Sequence, residues 1–419
     1  MLDRKLAPEY QPITNIHFPE PEHVRLSNAI DVHYLNHGSQ EVIRLEWITY
    51  SGRVKETKDG VSFFTLKMLG EGTKTMSSAE LQEAFQQYGA FLEFNNGFDH
   101  NTIAIYTLSR YLDEVLDLLF QMLTSPRMDE ADLEVLKNIK RQEIRLNQEK
   151  NNIVASQMFR EVLFGQEHPY GKSLDLEHVD QINVEDCQEY FTHHFLNQSQ
   201  LLVSGRIEEE HREVIEKKLS GVQIRNANSS GELILNSSTS IQKDLEESLQ
   251  TSIRYGKRFL RMDHEDFIPM MIVNEILGGY FGSRLMKNIR EDKGYTYGIY
   301  SNVLSLGKEG YFVIGTDVIK ANREDTVREI NYEINQLREE LVGNEELETV
   351  KNYMLGNLVS SMDTAFDMAD KFKRVHLNGL EMNYYKQLVQ TIEKIEPLTI
   401  QDLALKYLDT DSFVLVTVG

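Results

Sequence analysis

The chain has 419 residues, 41% hydrophobic and 26% charged, with 66 acidic against 44 basic side chains and a formal charge of −22. That length exceeds what one core usually supports, so at least two domains are expected. The acid excess argues against a polyphosphate partner, which needs a basic footprint, and against adhesion to anionic lipid.

Residues 1–25 are Pro-rich and read as an irregular lead-in. Ala29 to Leu35 alternates through Ile30, Val32 and Tyr34, and Val42 to Tyr50 is rich in β-branched and aromatic residues, so both read as strands. Gly60 to Thr73 reads as one buried helix capped by Asp59 and closed by a Gly-rich turn. Ser77-x-x-Glu80 is a capping box opening a helix that Gly89 stops. Phe91 to Phe94 and Thr102 to Leu108 are strand-like and flank a turn ending in Asp99-His100. Helices are expected over Tyr111–Leu123, Asp129–Lys150, Ile153–Phe164 and Val184–Phe191, with a strand at Leu201–Ser204. Asn226 to Ser240, dense in Asn and Ser, reads as a linker between a domain over 1–225 and one over 241–419.

Beyond the linker the pattern recurs. Thr251-Ser252-Ile253-Arg254-Tyr255-Gly256 stands where Trp47-Ile48-Thr49-Tyr50-Ser51-Gly52 stood, and a helix over Phe267–Leu277 takes the place of the one at 60–73. Tyr311–Thr316 reads as a strand, followed by helices near Arg323–Leu341 and Asn344–Ser361. The ends repeat best: Ile182 through Gly205 is similar to Leu398 through Gly419. Such a long period implies duplication of a whole α+β domain, each copy a mixed or antiparallel sheet with helices packed on one face.

The helix at 60–73 carries a further signal. Gly60, Phe64, Met68, Gly72 and Thr73 resemble the frame of the zinc helix of the inverted-zincin metallopeptidases, the pitrilysin–insulinase–mitochondrial processing peptidase family. That helix reads Gly-x-x-His-Phe-x-Glu-His-Met, with Gly-Thr shortly after it. Here Phe63 and Lys67 stand at the two histidine positions and Leu66 at the glutamate. A zinc hydrolase needs three protein ligands, and two imidazoles four apart on one helical face supply two. Glu143, 76 residues after Lys67, falls where the resemblance sets the third ligand. It is either a ligand without its metal or an ordinary solvated glutamate. If it points into the vacated site, Lys67 can pair with it, because an unpaired buried carboxylate is costly.

The resemblance extends over both halves, from about residue 25 to the end. His168-Pro169-Tyr170-Gly171 matches a turn common in the family. Glu93-Phe94 departs from it, standing where the family has an Asn-Ala pair. Gly278-Gly279-Tyr280-Phe281-Gly282-Ser283-Arg284-Leu285, running into Ile289-Arg290-Glu291 and Gly294-Tyr295-Thr296-Tyr297, resembles the family's Gly-rich turn and Arg…Tyr segment. In members that cleave peptides, that arginine and tyrosine bind the substrate carbonyl and the oxyanion it becomes. A guanidinium and a phenol suit that task. Arg290 and Tyr297 keep the spacing.

No other chemistry competes. His33 and His37 lie in strand and turn context, His193 and His194 close a helix, and Cys187 sits among acids in a helix, a poor setting for a thiolate. A single cysteine allows no internal disulfide and fits a reducing compartment. The N-terminus has no apolar segment of the signal type, and no apolar run is long enough to span a membrane. The expected location is the cytoplasm.

Bacterial members of this family include pairs of chains of about this length, one with the His-x-x-Glu-His helix and one with only the Arg…Tyr pair. This chain resembles the second. The resemblance therefore implies a non-catalytic subunit that holds no metal and closes like a clamshell on a homologous zinc-bearing chain over a peptide substrate. Homodimerisation is left open. A purely structural or peptide-holding subunit is the alternative, and an active peptidase with unusual ligands the third reading.

Overall fold

A computed structural model describes residues 16, 18–196, 198–223, 240–243 and 248–419. Apart from Ser240, the linker at 226–240 lies outside them, as does most of the lead-in. In the first half, strands β1 (Glu22–Arg25), β2 (Asp31–Asn36) and β3 (Val42–Thr49) precede helix α1 (Val61–Met68). A small hairpin, β4 (Gly72–Thr73) and β5 (Met76–Ser77), leads to α2 (Ser78–Gln87), β6 (Phe91–Asn96) and β7 (Asn101–Leu108). Helices α3 (Leu112–Thr124), α4 (Glu130–Gln148), α5 (Asn151–Phe164), α6 (Leu176–Gln181) and α7 (Val184–Tyr190) follow, then β8 (Gln200–Gly205) and α8 (Glu209–Leu219). The second half runs β9 (Ile241–Lys243), β10 (Gln250–Phe259), α9 (Phe267–Asn274), β11 (Thr296–Ser305) and β12 (Gly310–Ile319). It ends with α10 (Arg323–Glu339), α11 (Asn344–Ser360), α12 (Ala365–Leu377), α13 (Asn383–Lys394), α14 (Pro397–Tyr407) and β13 (Val414–Val418).

The duplication is visible strand by strand. The first sheet has the order β1-β2-β8-β3-β7-β6 and the second, from its other edge, β9-β13-β10-β12-β11. Leaving out β1, the two orders match. Each sheet is antiparallel except for one parallel pair at the same place, β2 with β8 and β9 with β13.

Period-2 alternation explains what each sheet covers. On β3, Ile43, Leu45 and Trp47 join the core beneath α2, α3 and α8. Arg44, Glu46 and Ile48 point the other way, and that face is covered by α12 from the second half, whose Ala365 and Ala369 pack on Leu35, Ile48 and Leu202. The second sheet mirrors this. Ile253 and Tyr255 of β10 enter the core under the helices of their own half. On the opposite face, α5 from the first half sets Val154, Phe159 and Leu163 against Val414, Val416 and Val418. Each half thus packs its own helices on one sheet face, as expected, and covers the other face of its neighbour's sheet.

Buried polar pairs fix this exchange. Arg44 donates to both carboxylate oxygens of Asp370 on α12, at 3.2 and 3.0 Å, and stands 3.5 Å from Glu46, which also pairs with Lys373. Arg254 on β10 donates to the Asn152 carbonyl and the Ser156 hydroxyl of α5, each at 3.0 Å. At the hairpin tips, Asp99 accepts from the Tyr170 hydroxyl at 2.7 Å and from Gly307 N at 3.1 Å, so the His168–Gly171 turn holds the two halves together.

Several local expectations change, among them the helix read over 60–73, which ends at Met68 before a 3-10 turn, Leu69–Glu71, and strand β4. The lead-in is not wholly irregular, since Glu22–Arg25 pairs antiparallel with β2. Asp59 does not cap α1: the N-cap is Gly60 in a left-handed conformation, φ 90°. Asp59 turns instead to Lys172 at 3.0 Å and His178 at 3.2 Å. Gly60 is required there, because a side chain would meet both the positive φ and Leu174 Cδ1 at 2.8 Å.

Candidate functional site: a cavity at the degenerate ligand positions and an Arg–Tyr segment

Helix α1 is buried on nearly every side. Val61, Phe64 and Met68 pack with Leu133 and Ile144 of α4 and with α6 and α7. Leu66 is fully buried and turns into the core of the first half. Phe63 and Lys67, four apart, share the remaining face. They line a cavity of about 360 Å³ together with Glu143 and Lys140 of α4, Phe94 of β6, Arg160 of α5, and Arg53 and Glu56 ahead of α1. Three of the four expected positions therefore meet in one cavity, and Leu66 does not.

The Lys67–Glu143 ion pair is not formed. Lys140, one turn before Glu143 on α4, takes both of its carboxylate oxygens at 3.0 Å and also stands 4.3 Å from the centre of the Phe63 ring. Lys67 Nζ lies over the Phe94 ring, 5.5 Å from its centre. Burial, then the nearby Lys140 charge, hold the Lys67 pKa below its ordinary value, although Glu143 opposes this. Glu56 accepts from Ser62 N at 3.1 Å, and burial pushes its carboxyl up to about 7.

The donor set does not fit zinc. Phe63 has no donor atom, Lys67 presents an ammonium, and the one carboxylate at the ligand position is already paired. Among the described residues, no group of three His, Cys, Asp or Glu could hold a metal ion.

The second motif is built differently. Its Ser-Arg-Leu portion is structural: Ser283 and Leu285 are buried, and Arg284 forms a fork with Glu346 of α11 at 2.9 and 2.8 Å. Arg290 lies on a π-helical turn, Met286–Asp292, with its guanidinium 4.5 Å from the centre of the Phe281 ring. Tyr297 is 94% exposed. The β11–β12 register shifts between Thr296 and Ile299, so Tyr297 falls in a bulge. Gly298 N donates to the Thr296 hydroxyl at 3.1 Å, and Thr316 Oγ1 donates to the Gly298 carbonyl at 2.9 Å, which fixes that bulge. A bulge re-aims a side chain away from the ladder, here into solvent. Neither Arg290 nor Tyr297 lines the cavity that holds Lys67 and Glu143.

Arg53, Glu56 and Arg160 were not among the sequence candidates. Cys187 is buried and its thiol is pushed up to about 12, mainly by burial, so it is no nucleophile.

A duplicated α+β fold with a degenerate ligand helix in its first half and an Arg…Tyr segment in its second defines a metallopeptidase-type scaffold. The chain belongs to peptidase family M16. The family profile described as "Insulinase (Peptidase family M16)" matches residues 42–174, and "Peptidase M16 inactive domain" matches residues 181–354. It is 23% identical to the "Uncharacterized zinc protease YmxG" of Bacillus subtilis, over 85% of this chain and 87% of that one. It is 21% identical to the "Non-peptidase homolog YmxG" of Helicobacter pylori, over 82% and 80%. Among solved structures, a peptidase M16 inactive domain from Pseudomonas fluorescens superposes with a TM-score of 0.86 at 20% identity, covering 95% of this chain and 98% of that one. A protease from Helicobacter pylori gives a TM-score of 0.86 at 16% identity, covering 96% and 100%. No helix among the described residues is long and apolar enough to cross a membrane.

Proposed function

We propose that this chain is the non-catalytic subunit of a zinc peptidase heterodimer, contributing Arg290 and Tyr297 to the site of a homologous partner that carries the metal. The observation that carries the reading is the placement of the pair. Tyr297 is held outward by a fixed bulge and Arg290 lies beside the exposed ring of Phe281, away from the chain's own vacated pocket. In a partner's site the two would donate to a peptide carbonyl as it becomes an oxyanion. The chain itself would bind no metal, and peptide would be cleaved only in the assembled pair.

The donor set at Phe63, Leu66, Lys67 and Glu143 opposes the reading of an active peptidase. The name of the Helicobacter pylori relative, a non-peptidase homolog, favours a structural or peptide-holding subunit as the second reading. Mixing the purified chain with a homologue bearing His-x-x-Glu-His distinguishes the two. A 1:1 complex on a sizing column, cleaving faster than the homologue alone, supports the heterodimer. Separate elution with a homologue fully active alone refutes it.

A further inference from the structure

The vacated pocket holds more cationic than anionic groups. Two of its cations have carboxylate partners, Lys140 with Glu143 and Lys172 with Asp59, each at 3.0 Å. Arg53, Arg160 and Lys67 form no ion pair among the described residues, and the remaining carboxylate of the wall is Glu56. Arg53 donates to the Lys172 carbonyl at 2.7 Å, while Arg160 Nε is buried without a hydrogen-bond partner. Both guanidiniums stand against one ring, 4.8 and 5.9 Å from the centre of Phe98. Burial holds both pKa values below the ordinary one; Glu56 and Asp59 oppose this at Arg53, while at Arg160 Tyr311 opposes it and Arg53 adds to it. Like charges gathered in a desolvated space are costly until an anion completes them.

We infer that this cavity binds a ligand carboxylate, with the guanidiniums of Arg53 and Arg160 and the ammonium of Lys67 as its counter-charges. Planar guanidiniums match a carboxylate, donating to both its oxygens bidentately where a single ammonium cannot. The rest of the wall sets the size and body of the ligand. At about 360 Å³ the cavity is small for a ligand site, and Phe63, Phe94, Ile144 and Leu174 give it an apolar side. A chain of net charge −22 repels polyanions and tolerates a ligand of one or two charges. The class is therefore a short hydrocarbon body ending in carboxylate, either a free small dicarboxylate or the acidic end of a peptide. This binding needs no partner subunit and does not involve Arg290 or Tyr297.

Calorimetric titration of the full chain tests it, with glutarate, with an N-blocked peptide ending in Glu, and with glutaramide and inorganic phosphate as controls. Arg160→Gln removes a guanidinium that makes no hydrogen bond among the described residues, so the variant should fold, and circular dichroism checks this. Lys67→Met is the second variant. At least one carboxylate probe should bind, more weakly as salt rises, and each variant should weaken it by roughly tenfold or more. Binding of glutarate alone points to a small-acid source, and binding of the peptide alone to an acidic chain end. No binding of either carboxylate at millimolar concentration would overturn the inference. So would phosphate binding in their place, equal binding of glutaramide, or unchanged affinity in both variants.

Discussion

Glu143 gives both carboxylate oxygens to Lys140, each at 3.0 Å, within one turn of α4. The carboxylate that the family resemblance sets against zinc is thus held by a neighbour on its own helix. Lys67, at the second imidazole position, lies over the Phe94 ring and forms no ion pair among the described residues. Restoring one ligand cannot rebuild a site that lacks a second imidazole and a free carboxylate. Elemental analysis of the purified chain should find no stoichiometric zinc, and Lys67→His should add neither zinc nor peptide cleavage. One zinc per chain with chelator-sensitive cleavage would refute this.

The buried cluster between the halves makes a second prediction. Glu46 is 3% exposed and faces both Arg44 and Lys373. Glu46→Leu strands part of a buried positive charge and should cost about 3 kcal/mol. Arg44→Met combined with Glu46→Leu leaves Lys373 and Asp370 paired at 3.2 Å at the edge of the cluster. The double variant should therefore lose less than Glu46→Leu alone. Urea unfolding of both single variants and the double one measures this, and additive losses would contradict it.

Acid should weaken the chain at a third place. His33 is 7% exposed between His23, Asp31, Gln200, Phe372 and His376, and it is pushed down to about 4 by burial, then by His376 and His23. Asp31 and Gln200 oppose the shift. A histidine depressed in the folded state binds its proton more readily when unfolded, so stability falls as pH drops from about 6.5 through about 4. The loss from this group should be on the order of 2 kcal/mol. His33→Gln should remove that share of the acid loss, read from urea midpoints at pH 7 and pH 4. Parallel profiles for wild type and variant would refute the assignment.

Much of the fold was legible because its signals are local. The β-branched and aromatic residues of 42–50 marked β3, Ser77 and Glu80 marked α2, and the repeat of 182–205 in 398–419 foretold the duplicated sheet. The readings that failed depended on distant or competing partners. Asp59 looked like a helix cap, but Gly60 makes a left-handed turn and Lys172 takes the carboxylate. Strand β11 was missed because Tyr297-Gly298 interrupts its pattern, and that interruption is the bulge that turns Tyr297 outward. The Lys67–Glu143 pairing overlooked a nearer competitor: Lys140 and Glu143, three apart on one helix, were readable as a pair from spacing alone.

The proposed role rests finally on Arg290 and Tyr297, and the cleanest test is the rate of the assembled complex. Tyr297→Phe keeps the ring, removes only the hydroxyl, and alters a side chain that is 94% exposed, so folding and association should be unchanged. With a His-x-x-Glu-His partner, losing one oxyanion donor should slow cleavage by about 10²–10³-fold, roughly 2.7–4 kcal/mol, mainly in kcat. Arg290→Lys should also lose most of the rate, since a point ammonium does not reproduce the guanidinium fork. The decisive measurement is kcat for the complex carrying Arg290→Ala and Tyr297→Phe together. A deep loss of kcat with the 1:1 complex intact is the predicted result, and cleavage at the wild-type rate would contradict it.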